Sequence, residues 1–180
     1  DLVGNQYVTV SDNGNESTFD GGTQFTLSFW LKGWPATSWA PIVSKQGEAG
    51  KGWQLRRFSA ENNKLSFTLR GPGNDDFSVT QNLNDGQWHH LVATWGGGHR
   101  KVFADGALVD SVAQSGTVNA TGSQLVFGAR DNSGNASNAP NISNHSGVKL
   151  DDVRFYNVPL SLQEVGQIYN NGQGDMTAQA

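Results

Sequence analysis

The side chains best suited to holding a sugar are Trp34, Trp39, Trp53, Arg56, Arg57, Arg70 and Arg130. A sugar ring turns a face of C–H groups outward, and an indole offers a flat apolar surface with a polar N–H at its rim. A guanidinium adds a rigid fork of donors for hydroxyls or a carboxylate. Trp34 and Trp39 lie in 33–41, a stretch unusually aromatic for a loop, beside Pro35 and Pro41. Trp53 opens a strand-like run after a glycine-rich turn, whereas Trp30, Trp88 and Trp95 sit inside strand-like runs and are expected in the core. His89 and His90 are adjacent, so on a strand they point to opposite faces. One is expected to be a hydrogen-bonded core histidine, the other to be open to a ligand contact. No His-x-x-x-His pair and no cysteine supports a zinc site.

Composition narrows the scaffold that could carry these groups. The chain has 180 residues, most simply one domain over 1–180. Hydrophobic residues make up 36% and charged residues 16%, with 23 glycines, a mix that suits a two-layer β protein with polar loops. A formal net charge of −4 argues against a nucleic-acid partner, which needs clustered Lys and Arg. No run of 18 apolar residues exists, so no membrane insertion by a helix is expected. A chain of this length buries enough surface to do without disulfides. The reading is a secreted, extracellular module, monomeric within a larger multidomain chain.

Period-2 patterning predicts strands over 6–11, 25–32, 42–45, 53–58, 64–70, 77–80, 87–95, 100–104, 107–112, 125–130 and 148–158. In 25–32, Phe25, Leu27, Phe29 and Leu31 form one apolar row; in 64–70, Leu65, Phe67 and Leu69 face the core and Ser66, Thr68 and Arg70 face away. Asp105-Gly106 asks for a type I′ hairpin turn. In the last strand Val148, Leu150, Asp152 and Arg154 are expected on one face and Lys149, Asp151, Val153 and Phe155 on the other. Pro159 ends it, and Ser161 with Glu164 forms a capping box for a short helix closing at Asn170-Asn171-Gly172. The loop 131–147 is the longest irregular piece, and 12–15 is a turn. Short strands at regular spacing with Gly, Asn and Asp turns make this an all-β, two-sheet antiparallel β-sandwich with one C-terminal helix.

The order of FTLSFWLK, IVSK, GWQLRR, LSFTLRG, DGQWHHLVATW, KVFADGALV, LVFGA and VKLDDVRFYNVPLS resembles the laminin-G-like branch of the concanavalin A-like lectin/glucanase superfamily. The likeness spans about 6–172, and the closing segment is its most specific part. It implies a jelly roll with one concave sheet and a carbohydrate-binding or adhesive role beside enzymes or on cell-surface proteins.

Several expectations follow from that resemblance. Retaining glycosidases of the superfold carry Glu-x-Asp-x-x-Glu on one strand. None of Glu16, Glu48, Glu61 and Glu164 stands in that pattern, and Gln87-Trp88-His89 is only a superficial match to a polysaccharide lyase signature. The domain itself is therefore expected to have no catalytic residues, as a carbohydrate-binding module appended to a glycoside hydrolase or polysaccharide lyase. The alternative is a laminin-G-type adhesion domain binding a protein or a glycosaminoglycan. Related domains also hold a structural Ca²⁺ between an early loop and the last strand, which implies Asp20 and Asp151 as metal ligands. Asn15, Asn119, Asn135, Asn141 and Asn144 stand in glycosylation sequons, relevant only in a eukaryotic source.

Overall fold

The computed structural model describes residues 2, 4–10, 19–47, 49–73, 76–132 and 141–172. The expected turn at 12–15, Glu16, Glu48, the sequons at Asn15 and Asn135, and the middle of the 131–147 loop lie outside these. Strands β1 (Val8–Val10), β2 (Phe25–Lys32), β3 (Pro41–Lys45), β4 (Trp53–Arg57), β5 (Lys64–Leu69) and β6 (Asp76–Thr80) come first. They are followed by β7 (Trp88–Gly96), β8 (His99–Ala104), β9 (Ala107–Ala113), β10 (Leu125–Phe127), β11 (Arg130–Asp131), β12 (Ile142–Ser143) and β13 (Lys149–Tyr156). Helix α1 (Leu162–Gly172) closes the order. The strands form a six-stranded sheet, β1-β10-β3-β4-β5-β6, a five-stranded sheet, β13-β2-β7-β8-β9, and a small β11-β12 ribbon. All described pairings are antiparallel, so the fold is the expected two-layer sandwich.

Alternation decides what lies between the layers. Phe25, Leu27, Phe29 and Leu31 of β2 and Leu91, Ala93 and Trp95 of β7 meet Val43, Trp53, Leu55, Leu65, Phe67 and Leu69 of the other sheet, all essentially without exposure. Phe25 packs on Trp53 at 5.1 Å and edge-on to Phe67 at 5.9 Å. Each such side chain contributes roughly 1.5–3 kcal/mol relative to exposure. Asp105 and Gly106 both take positive φ, 49° and 79°, as a type I′ turn requires. A Cβ on Gly106 would also stand 2.9 Å from Cδ1 of Tyr169, so the position serves both the turn and the helix above it.

The last strand departs from strict alternation. Leu150 pairs with Leu31 and Phe155 with Leu27, five residues against four, and the extra residue is a β-bulge at 151–154 with Asp152 at φ 47°. Phe155 therefore turns into the core, 4.9 Å from Phe19 and 5.9 Å from Trp53, on the same side as Leu150. The run 125–130 likewise splits into β10 and β11, with Gly128 between them at φ 80°.

Helix α1 begins as the capping box requires: Glu164 N–H donates to Ser161 Oγ at 3.3 Å and Ser161 N–H to Glu164 Oε2 at 2.7 Å. It lies on the outer side of the five-stranded sheet, where Leu160 and Val165 join Val92 and Phe103 in a second core with Tyr156 and Ile168 at its edge. Trp30 is buried on this side, stacked 5.8 Å from Tyr169 and tilted against His90 at 5.2 Å. Trp88, expected in the core, is 40% exposed at the end of the same face.

Candidate functional site: the polar face of the six-stranded sheet

On β4, Trp53 and Leu55 point into the core, so Gln54 and Arg56 point the other way. Gln54 is in register with Ser44 and Thr68, Thr68 with Asp76, and Arg56 with Ser66. These side chains form a polar carpet on the sheet's outer face, and its centre is sealed: Ser44, Gln54, Ser66 and Thr68 are all fully buried.

Arginines converge on one acid there. Arg56 Nη2 donates to both oxygens of Asp76, at 3.0 and 2.8 Å, and Thr68 Oγ1 donates to Oδ1 at 2.7 Å. Arg70 stands 3.5 Å from the same carboxylate. Arg130, on β11, lies close enough for its charge to act on Arg56, and its Nε donates to Asn132 Oδ1. Burial pulls the Arg56 guanidinium below its ordinary value, Asp76 opposes that shift, and the charges of Arg70 and Arg130 add to it. Burial acts in the same direction on Arg130. Asp76 is the one carboxylate on the strands of this sheet.

Two groups on the carpet have no partner: both amide atoms of Gln54 and Nε of Arg56 are buried without a hydrogen bond. Buried polar groups are almost always satisfied, so such a pair marks a place where water or a ligand belongs.

Trp39 stands at the rim. It has φ 63° and is 37% exposed, with Arg56 Cζ 4.6 Å from its ring centroid and Phe58 edge-on at 4.9 Å. A cation held over an indole in this way is worth about 0.5–2 kcal/mol. Of the expected sugar-binding residues, the face thus gathers Arg56, Arg70 and Arg130, with Trp39 beside them.

The others are elsewhere. Trp53 is a core residue with no exposure, its Nε1 donating to Phe19 O at 2.6 Å; the register that exposes Gln54 necessarily buries it. Arg57 ties the neighbouring loops together, donating to Pro35 O at 3.0 Å, Ala36 O at 2.8 Å, Glu61 O at 2.9 Å, Asn62 Oδ1 at 2.9 Å and Ala60 O. Trp34 packs half-buried against the core and donates to that same Glu61 carbonyl at 3.4 Å. Gln54, Thr68 and Asp76 escaped the sequence reading, although alternation from Trp53 already places Gln54 beside Arg56.

Each of the expected calcium ligands has a neighbour of its own. Asp20 faces the ammonium of Lys45 at 3.2 Å, and that lysine, 1% exposed, also donates to Ser123 O at 2.8 Å. Asp151 lies on the five-stranded sheet opposite Trp30, where its Oδ1 accepts the Asp152 N–H at 2.8 Å. Among the described residues no group of three or more His, Cys, Asp or Glu could hold a metal ion.

His90 is the hydrogen-bonded core histidine that was expected, whereas His89 is held by two acids rather than open to a ligand. His90 is buried, with Nε2 2.9 Å from Ser28 Oγ, and burial lowers its pKa. His89 is clasped by Asp105 at 2.8 Å and Asp85 at 2.9 Å; burial pushes its pKa down, but the bonds and charges of the two acids outweigh it and raise the net value.

A family model described as the concanavalin A-like lectin/glucanases superfamily matches residues 2–166. No curated protein matches the chain. Among solved structures, the binding domain of botulinum neurotoxin DC in complex with rat synaptotagmin II superposes with a TM-score of 0.65 at 16% identity, covering 93% of this chain and 41% of that one. The binding domain of botulinum neurotoxin DC in complex with SialylT gives 0.64 at 18%, covering 93% and 40%. The binding domain of Paraclostridial Mosquitocidal Protein 1 gives 0.63 at 15%, covering 93% and 41%. The chain thus spans about two fifths of these structures, and the likeness is one of fold.

Proposed function

For a chain that belongs to the concanavalin A-like lectin/glucanase superfamily, we propose a non-catalytic carbohydrate-binding module that takes an oligosaccharide or polysaccharide on the polar face of its six-stranded sheet. The observation that carries this reading is the rim of the face, where Trp39 is exposed with the Arg56 guanidinium held over its ring and Arg70 and Arg130 near that arginine. An indole offers the C–H face of a sugar ring a flat apolar surface, and guanidinium groups offer donors to its hydroxyls. Relatives in fold include a binding domain solved with a sialylated ligand and another whose neurotoxin depends on two ganglioside molecules for cell entry. Those chains are more than twice as long as the shared part, so they support a class of partner and not a site.

A binding role fits this face better than hydrolysis. Glycoside hydrolysis uses two carboxylates across the scissile bond, and Asp76, the acid on these strands, is tied to Arg56 and Thr68. We place the module in a secreted protein acting on polysaccharides, beside a hydrolase or lyase domain.

One observation favours the adhesion alternative. At the sandwich edge Leu2, Val8, Phe127, Leu150 and Val153 line an apolar hollow of about 320 Å³, and Val8 is 51% exposed. Apolar surface of that kind suits a protein partner, and one relative in fold was solved with synaptotagmin II.

A glycan and polysaccharide array, read with and without chelator, separates the readings. The expected result is capture of at least one glycan that Trp39→Ala weakens by about tenfold and chelator leaves alone. Folded protein that binds no glycan in any arm overturns the carbohydrate reading and leaves the adhesion domain.

A further inference from the structure

One end of the sandwich is built by the connections 33–40, 58–63 and 81–87 and by the Asp105-Gly106 turn. Bonds lace them to one another. Trp39 N–H donates to Ser59 O at 3.4 Å and Gln81 N–H to Asn63 O at 2.8 Å, while the His89 ring joins Asp85 to Asp105. They are also held from beneath. Buried Arg57 donates to Pro35 O, Ala36 O, Ala60 O, Glu61 O and Asn62 Oδ1, and Leu83 sits in the main core without exposure. Segments fixed in this way carry little ordering cost into a complex.

Above those anchors the surface is open and rich in amides. Asn63, Asn82, Asn84 and Gln87 are all exposed, and each amide offers a sugar hydroxyl both a donor and an acceptor. An exposed indole stands on either side of them. Trp39 is 37% exposed, at φ 63°, a conformation that a bulky side chain rarely takes. Trp88 is 40% exposed; it shares the outer face of the five-stranded sheet with His90, two residues on, but is not covered as His90 is.

We infer that a bound glycan runs over this end of the sandwich as a chain of several rings, from Trp39 at the rim of the polar face to Trp88 at the rim of the helix-covered face. The inference rests on the carbohydrate reading above, with Trp39 as the shared contact. The centre of the polar face is not its path, because Ser44, Gln54, Ser66 and Thr68 are buried there. Packed sheets lie about 10 Å apart, and the two indoles belong to their outer sides, so no single ring touches both. A chain already held at Trp39 makes its contact with Trp88 intramolecularly. Affinity therefore grows with chain length.

The test titrates the intact chain with cello-, xylo-, manno- and neoagaro-oligosaccharides, each supplied from the disaccharide to the hexasaccharide. In at least one series the affinity should rise by about tenfold or more over that range. Trp88→Ala should remove the gain, so that the hexasaccharide is held no better than the disaccharide, and Trp88→Tyr should restore most of it. A Trp88→Ala protein that still binds the disaccharide is folded, so the lost gain is a lost contact. Trp39→Ala should weaken every length by about tenfold. Val158→Ala trims a side chain of similar exposure at the opposite end, where Val158 O accepts the Thr26 hydroxyl, and should change affinity by less than about twofold. A hexasaccharide bound no more tightly than its disaccharide, or a gain that survives Trp88→Ala, overturns the inference and leaves the carbohydrate site at Trp39 standing. Folded protein silent towards every length of every series overturns it as well, and silence across the glycan array would take the carbohydrate reading with it.

Discussion

The two sheets carry similar alternation but end with opposite outer faces. On the five-stranded sheet the outer side chains are Trp30, His90, Val92 and Phe103, and a helix closes over them with Leu160, Val165 and Tyr169. On the six-stranded sheet they are Ser44, Gln54, Arg56, Ser66, Thr68 and Asp76, and two polar groups remain without partners. Apolar side chains on a sheet demand a cover, and the chain supplies one from its own C-terminal segment. The polar face is stabilised by ion pairing among its own residues. One face adds to stability; the other keeps its polar groups and an exposed indole, Trp39, at its rim.

That contrast is easiest to break at the helix-covered face. Phe103→Ala should destabilise the domain by about 3–5 kcal/mol through the cavity it leaves in the second core. The melt should fall by roughly 10 °C or more. Glycan affinity measured well below that melt should stay at the parent value, and a parallel loss of affinity would mean that the two faces are coupled.

The Lys45–Asp20 pair sharpens the distinction between structural and binding charge. Lys45→Met leaves Asp20 without its cation and should cost about 3 kcal/mol, the low end for breaking a buried pair, since Asp20 keeps 16% exposure. Chelation of the parent protein should leave its melt where it was. A drop of several degrees in EDTA would instead mean that a metal contributes to this fold.

The smallest effect concerns the adjacent histidines. The folded-state pKa of His89 is raised above the ordinary 6.5, so its contribution is complete below that value and is lost as pH rises through the raised pKa. His90 is shifted the other way: neutral His90 favours the fold above about 6.5, and that advantage erodes as pH falls towards its lowered pKa. Urea midpoints taken across about pH 5–8 should therefore change in opposite directions for His89→Gln and His90→Gln relative to the parent. Parallel shifts would mean that the clasp by Asp85 and Asp105 is not what holds His89.

The sequence carried the architecture further than it carried the site. Strand Phe25–Lys32, the Asp105-Gly106 turn and the Ser161–Glu164 cap each follow from local chemistry, and each stands where that chemistry puts it. Trp53 shows what local chemistry cannot reach. A tryptophan after a glycine turn is read as exposed, yet its side depends on how β4 pairs with β3 and β5, which only the folded sheet decides. Arg57 and Arg56 differ for the same reason, one turning into loop carbonyls and the other onto the polar face. The bulge at 151–154 shifts the face of Phe155 by one residue, and nothing in the run from Val148 to Phe155 marks where an extra residue sits. The buried lysine beside Asp20 is twenty-five positions away and is not visible as its neighbour along the chain.

The strand order also constrains how the chain can be made. β2, at the centre of the inner apolar row, pairs on one side with β7 and on the other with β13, and Thr26 is tied by hydrogen bonds to Val158 and Leu160. During synthesis at about 5–20 residues per second, β2 therefore leaves the ribosome roughly 6–25 s ahead of its second neighbour. For that interval the most apolar strand of the molecule has an open edge and no helix-covered sheet to belong to. Sandwiches whose closing contacts are this distant in sequence fold slowly once complete. A nascent chain halted before β13 should accordingly be sticky and protease-sensitive, becoming resistant only after α1 has emerged and docked.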